Sequence, residues 1–143
     1  MKILTKNKKV HIFLFDGFSD WEISYLTPEI NKSEKFEIVY FSKDGKPVVS
    51  MGGLKITPDI SFTEVDVNDI DLLVLPGGVA WEKGENNELN QFTKNVFEKG
   101  KLISFADGMV TNLTDLTDEM YEKADMHDEH GAWQMIFGLN TIP

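Results

Sequence analysis

The 143-residue chain contains no cysteine. That removes disulfides, thiolate metal ligands and thiol nucleophiles at once. No apolar run approaches the ~20 residues that a membrane-spanning helix needs, so no membrane partner is expected. Positive charge is scarce: 14 basic side chains face 24 acidic ones, a formal balance of −10. Such a chain repels phosphate backbones, and no nucleic-acid partner is expected. Its densest basic cluster, Lys6, Lys8 and Lys9, reads as a solvated lead-in to the first strand. The N-terminus lacks the apolar stretch and small-residue cleavage site of a signal peptide, which makes cytoplasmic residence the expectation. Repeats, low-complexity tracts and dividing linkers are also missing, so residues 1–143 read as one domain. What is present is ordinary for a globular fold, with 41% hydrophobic and 27% charged residues. A domain of this size buries roughly two thirds of its unfolded surface.

Short apolar runs stopped by glycine dominate the pattern. "VHIFLFDG" (10–17), "FEIVYFS" (36–42), "DIDLLVLPGG" (69–78) and "KLISFA" (101–106) read as strands buried on both faces. Between the first two, "SDWEISYLTPEINKS" places Trp21, Tyr25, Leu26 and Ile30 at helical spacing. Ser19 and Glu22 fit a capping box there, and Pro28 predicts a bent or shortened helix. "NELNQFTKNVFEKG" carries Leu89, Phe92, Val96 and Phe97 on one helical face, with Gly100 as C-cap. Another amphipathic helix is expected from Gly108 onward. "VVSMGGLKIT" (48–57) suits a hairpin about Gly52-Gly53. "AWQMIFGLNTIP" is a candidate last strand. The alternation argues for a doubly wound α/β sheet, mostly parallel, with a small β-hairpin excursion.

In such a sheet, ligands bind beyond the carboxyl ends of the strands. "DGFSDWE", "PGGVAWE" and "ADGMV" are expected to converge there. None matches G-x-x-x-x-G-K-[ST] or G-x-G-x-x-G. A receiver domain is disfavoured because no acidic pair follows the first strand with its downstream lysine. A flavodoxin is disfavoured because the first loop is acidic and aromatic rather than hydroxyl-rich.

"LFDGFSDWE", "MGGLKITPDI", "DLLVLPGG" and "KLISFADGMVTNL" together resemble the ThiJ/PfpI family of class I glutamine amidotransferase-like proteins, from about Val10 to Leu113. The resemblance implies a flavodoxin-like three-layer sandwich, often a homodimer. It implies peptidase, amidase, deglycase or glyoxalase-type chemistry, alongside members with no established reaction. The family places a cysteine at the turn where this chain has Ala106-Asp107-Gly108-Met109. Glu22 matches the glutamate that hydrogen-bonds that cysteine. Gly77 and Gly78 match the amides that stabilise an oxyanion, and Gly108 follows the elbow. The family histidine has no clear counterpart; His127 and His130 lie in the right region without its context. The usual final strand and helix are not matched after Leu113, as a frameshift or truncation would leave the chain.

The catalytic candidates are therefore Asp107 and Glu22, and the oxyanion or ligand-binding candidates are Gly77, Gly78 and Gly108. Two facing carboxylates share a proton and suit acid–base work on a small carbonyl or amide. Turn formation and helix capping are the structural alternative for Asp107. Capping competes with a site role for Glu22, and tight strand termination with one for Gly77-Gly78. Trp21 and Trp81 fit a cleft mouth, a dimer contact or the core. His11 reads as a satisfied core or edge histidine. "DMHDEH" reads as a solvated loop, so no metal and no cofactor are assigned. The expectation is a homodimeric small-molecule-binding or scaffold protein without thiol chemistry.

Overall fold

The structure is a computed structural model, and it describes residues 8–105. Five strands form the central sheet: β1 (Lys8–Phe13), β2 (Phe36–Ser42), β5 (Ile60–Ser61), β6 (Leu72–Leu75) and β7 (Leu102–Phe105). Their spatial order is β5-β2-β1-β6-β7, and every pairing between them is parallel. A separate antiparallel pair, β3 (Val48–Val49) and β4 (Lys55–Ile56), is the expected hairpin. The helices are α1 (Asp20–Ser24), α2 (Leu26–Lys32), α3 (Val79–Glu82) and α4 (Glu88–Glu98).

Parallel strands covered on both faces are mostly apolar, and these are, apart from Lys8 and Lys9 at the start of β1, His11 within it, an exposed Glu37 in β2 and single serines in β2, β5 and β7. All four residues of β6 are fully buried, as are Val10, Ile12 and Phe13 of β1. From β1 the chain crosses to β2 in one direction, and from β6 it crosses to β7 in the other. Right-handed crossovers put the two helical connections on opposite faces, which makes three layers. α2 packs on β2. α4 lays Phe92 edge-on against Phe41 and Phe62, with ring centroids 6.1 and 5.2 Å away. Strand order reverses between β1 and β6, so a crevice opens beyond their carboxyl ends.

Local chemistry sets the boundaries. The first helical segment breaks at Tyr25, three residues before Pro28, whose missing N–H cannot bond back to Ser24. Gly100, at φ +73°, lets the chain leave α4 toward β7. The first strand ends earlier than its apolar run: Leu14 and Phe15 are buried but belong to the loop that follows. Residues 69–71 likewise precede β6 rather than extend it. The two-residue edge strand β5 and the single-turn α3 are too short to leave a periodic signal.

Two aromatic readings resolve. Trp81 is core, with its Nε1–H donating to the Pro76 carbonyl at 2.9 Å. Trp21 is 53% exposed. His11 is a correction: it is buried on the central strand, yet its Nδ1 has no hydrogen-bond partner among the described residues. Burial, then the nearby Lys9 ammonium, holds its pKa below the usual imidazole range, so it is neutral.

The aromatic centre of the core is Phe13, 5.3 Å from Phe15, 5.4 Å from Phe41 and 6.1 Å from Trp81 by ring centroids. Phe13→Ala is expected to cost about 3–5 kcal/mol in urea unfolding, because a cavity among rings cannot collapse fully. A loss below about 1 kcal/mol would contradict this packing.

Candidate functional site

The crevice between β1 and β6 is closed by a reciprocal backbone bridge. The Ser19 N–H donates to the Gly77 carbonyl at 2.8 Å. The Gly77 N–H donates in return to Glu22 Oε1 at 3.0 Å. The sequence places these loops 55 residues apart, and the parallel pairing of β1 with β6 brings them together.

Glu22 stands on the single-turn α1 and is 3% exposed. Burial pushes its carboxyl pKa upward, while the Gly77 N–H and the Ser19 hydroxyl act in the opposite direction by stabilising the anion. The net direction is up, so the carboxyl holds its proton to higher pH than an exposed glutamate.

The capping-box expectation is corrected here. Ser19 is the N-cap of α1 by position, but its side chain makes no cap bond and its N–H goes to Gly77 rather than to Glu22. The Ser19 hydroxyl instead bonds the Glu22 carboxyl, which also accepts from the β6 loop. A long-range backbone donor has displaced the local one.

Of the two amides assigned to an oxyanion by resemblance, the Gly77 N–H is already engaged by Glu22. Gly78 has a different constraint. A Cβ there would lie 2.9 Å from the Gly17 carbonyl and 2.8 Å from the Phe15 ring. Only a hydrogen fits where the two loops cross. Gly17 in turn sits at φ +82°, which suits glycine alone.

The β3–β4 hairpin holds the first loop from outside. The Gly17 N–H donates to the Val49 carbonyl and the Met51 N–H to the Phe18 carbonyl, both at 2.8 Å. The Val49 N–H donates to Asp16 Oδ1 at 2.9 Å, and the Ser50 hydroxyl to Asp20 Oδ2 at 2.7 Å. The sequence marks this hairpin, but nothing in it marks Ser50 or Asp20 as its fastenings.

Asp107 and Gly108 lie outside the described residues, as do His127, His130, the expected helix after Gly108 and the candidate strand "AWQMIFGL". Of the candidate site, Glu22, Gly77 and Gly78 are brought together. β7 ends at Phe105, beside β6 and two residues before Asp107, with Leu75 paired to Phe105.

Two measurements test this geometry. Between the ordinary glutamate pKa and its raised folded value, the folded state binds the Glu22 proton more tightly than the unfolded state, so this group makes stability fall as pH rises. Glu22→Gln removes that titration. Its melting temperature relative to the parent chain is expected to rise from pH 4 to pH 7; a constant difference would mean that Glu22 is not perturbed. Gly78→Ala is expected to lose about 1–3 kcal/mol in chemical unfolding, because the Gly17 carbonyl is backbone and cannot swing away. A neutral substitution would show that the loops do not cross this closely.

The comparisons with known proteins concern the family and the fold. The model of the DJ-1/PfpI family matches residues 8–106. The deglycase TK1284 of Thermococcus kodakarensis is 38% identical over 97 residues, covering 67% of this chain and 58% of that protein. The uncharacterized protease YoaZ of Bacillus subtilis is 29% identical over 115 residues, covering 76% of this chain and 55% of its own length. The chain thus spans little more than half the length of these relatives. Among solved structures, the DJ-1 superfamily protein Atu0886 of Agrobacterium tumefaciens superposes with a TM-score of 0.62 at 42% identity, covering 67% of this chain and 51% of that one. A thiJ/pfpI family protein of Bacillus anthracis gives a TM-score of 0.68 at 27% identity, covering 76% and 56%. With a family model that matches most of its length, and a doubly wound sheet with its hairpin, this chain belongs to the DJ-1/PfpI family.

Proposed function

We propose that this DJ-1/PfpI chain binds a small carbonyl or amide compound at the β1/β6 crevice without thiol catalysis. One observation carries the reading. Glu22 is buried and held by the Gly77 amide at 3.0 Å, as a family glutamate would be to serve a thiol, in a chain that has no cysteine to serve. In this reading Asp107 takes the elbow position, Glu22 presents a carboxyl whose pKa burial raises, and Gly78 with Gly108 supplies backbone donors. Relatives named as deglycases motivate the ligand class. The reading treats residues 1–143 as one domain and the protein as a cytoplasmic homodimer. The exposed Trp21, Tyr25, Met51 and Leu54 supply apolar surface for a second copy.

A second reading draws on the raised pKa of Glu22. In it, Glu22 would be the acid, and Asp107, at the elbow position that the family resemblance implies, would be the base. That pair would serve a hydrolase or lyase acting on the same ligand class.

Asp107→Cys separates the readings. The variant is expected to gain rapid, stoichiometric labelling by iodoacetamide near neutral pH, read by mass spectrometry, with the rate reduced on adding Glu22→Gln. A folded variant that labels no faster than a free thiol would overturn the site. Turnover of methylglyoxal by the parent chain, lost in Glu22→Gln, would replace the binding reading with the enzymatic one.

A further inference from the structure

One edge of the sheet is only half covered. β5 joins β2 at Phe41 and Ser42 alone, so residues 36–40 have β1 on one side and, among the described residues, no strand on the other. Successive residues of such a strand turn their backbone groups to opposite neighbours. Two points fix the phase. The Phe41 carbonyl accepts from the Leu14 N–H, on the β1 side. Tyr40 bonds outward: its N–H donates to Asp59 Oδ2 and its carbonyl accepts from the Asp59 N–H, each at 2.8 Å. Phe36 and Ile38 share the phase of Tyr40. Their N–H and C=O groups therefore point away from β1, and no backbone group among the described residues meets them there.

This edge is a ridge between two grooves, and Glu37, Ile38 and Asp59 line both. The first, about 660 Å³, lies toward α2 and is walled by Pro28, Phe36, Ile38 and Tyr40. The second, about 370 Å³, lies on the face of Val39 and His11, opposite in phase to Ile38. It is acidic: Glu37, Asp59, Glu64, Asp66 and Asp69 line it with a single lysine, Lys9, which is already paired with Asp69 at 3.8 Å.

We propose that the Phe36–Val39 edge of β2 receives an extended segment of a partner protein as an added strand, with side chains alternating between basic and apolar. The outward groups of Phe36 and Ile38 bond its backbone, and the grooves on either side select its side chains. A residue beside Ile38 lays its side chain toward Pro28 and Phe36, and its two neighbours lay theirs in the acidic groove. A second copy of this chain is the poorer occupant, since its balance of −10 brings like charge to that groove. The added strand is short, because Asp59 and β5 take its place from Tyr40 onward. The surface lies on the amino-terminal part of β2, away from the crevice that holds Glu22, and does not depend on the function proposed there.

The test is amide hydrogen exchange of the whole chain, read by NMR, with the capped peptide acetyl-Thr-Lys-Val-Lys-Thr-amide as probe and its Lys-to-Glu counterpart beside it. In the free chain the Ile38 amide is expected to exchange faster than those of Val39 and Phe41, which face β1. Saturating lysine peptide is expected to slow Ile38 at least about threefold, and the glutamate peptide to leave it unchanged. N-methylating alternate residues of the peptide is expected to abolish binding in one phase and spare it in the other, which a purely electrostatic contact would not do. Glu37→Lys, an exposed change, is expected to weaken the lysine peptide about threefold or more without moving the melting temperature. An Ile38 amide as protected as Val39 in the free chain, equal loss from both N-methylated peptides, or no saturable slowing would overturn the proposal. So would Ile38 protection that rises with the concentration of the chain alone, which would put a second copy at the edge. Nuclear Overhauser contacts from residues 1–7 to Ile38 would overturn it by putting the chain's own leader there.

Discussion

The reciprocal bridge between Ser19, Glu22 and Gly77 is the constraint on which the site depends. Parallel strands bring their carboxyl ends to one edge but leave the loops beyond them free to diverge. Here each loop satisfies a backbone group of the other, at 2.8 and 3.0 Å. The result is an edge fixed by these hydrogen bonds together with the packing of Phe15 against Phe18 and Trp81. Glu22 enters it as the acceptor for an amide that would otherwise be buried and unpaired, which explains why a carboxyl is tolerated at 3% exposure.

That arrangement has an energetic signature. A buried carboxylate with a single backbone donor and a hydroxyl is under-solvated, and the upward pKa shows that burial outweighs the bonds it receives. A purely structural clamp would do better with a neutral side chain. Retaining an acid in this position fits a role in handling a proton or a polar ligand, as the functional reading holds.

Much of the fold was legible because its strands carry short apolar runs. A strand covered on both faces is mostly apolar, and β6 stands out for that reason, as does β2 apart from Glu37 and Ser42. The hairpin was legible from Gly52-Gly53, and the helix break from Pro28. β5 and α3 were not, since two or four residues carry no period. The site residues Glu22, Gly77 and Gly78 were reached through family resemblance, not through local pattern. Local pattern assigned Glu22 to Ser19 as a cap. It missed the Gly77 donor because a group 55 residues away leaves no trace in a four-residue window. The same blindness hid the unpaired nitrogen of His11 and the unpaired amide of Asn86. Burial and satisfaction are properties of the assembled sheet.

The hairpin gives these separate features a common mechanical origin. Four hydrogen bonds fasten residues 16–20 to residues 49–51, and a Cβ on Gly52 would collide with the Asp20 carboxylate. This one loop therefore has its path set from three directions: by β1 behind it, by the β6 loop on one flank, and by the hairpin outside. Its first residues, Leu14 to Asp16, wall a cavity that Asn86 also lines. Its last, Ser19, leads into the helix that carries Glu22. Val49 holds this loop at both Asp16 and Gly17, so one residue of the hairpin fixes the wall of that cavity and the approach to Glu22 together.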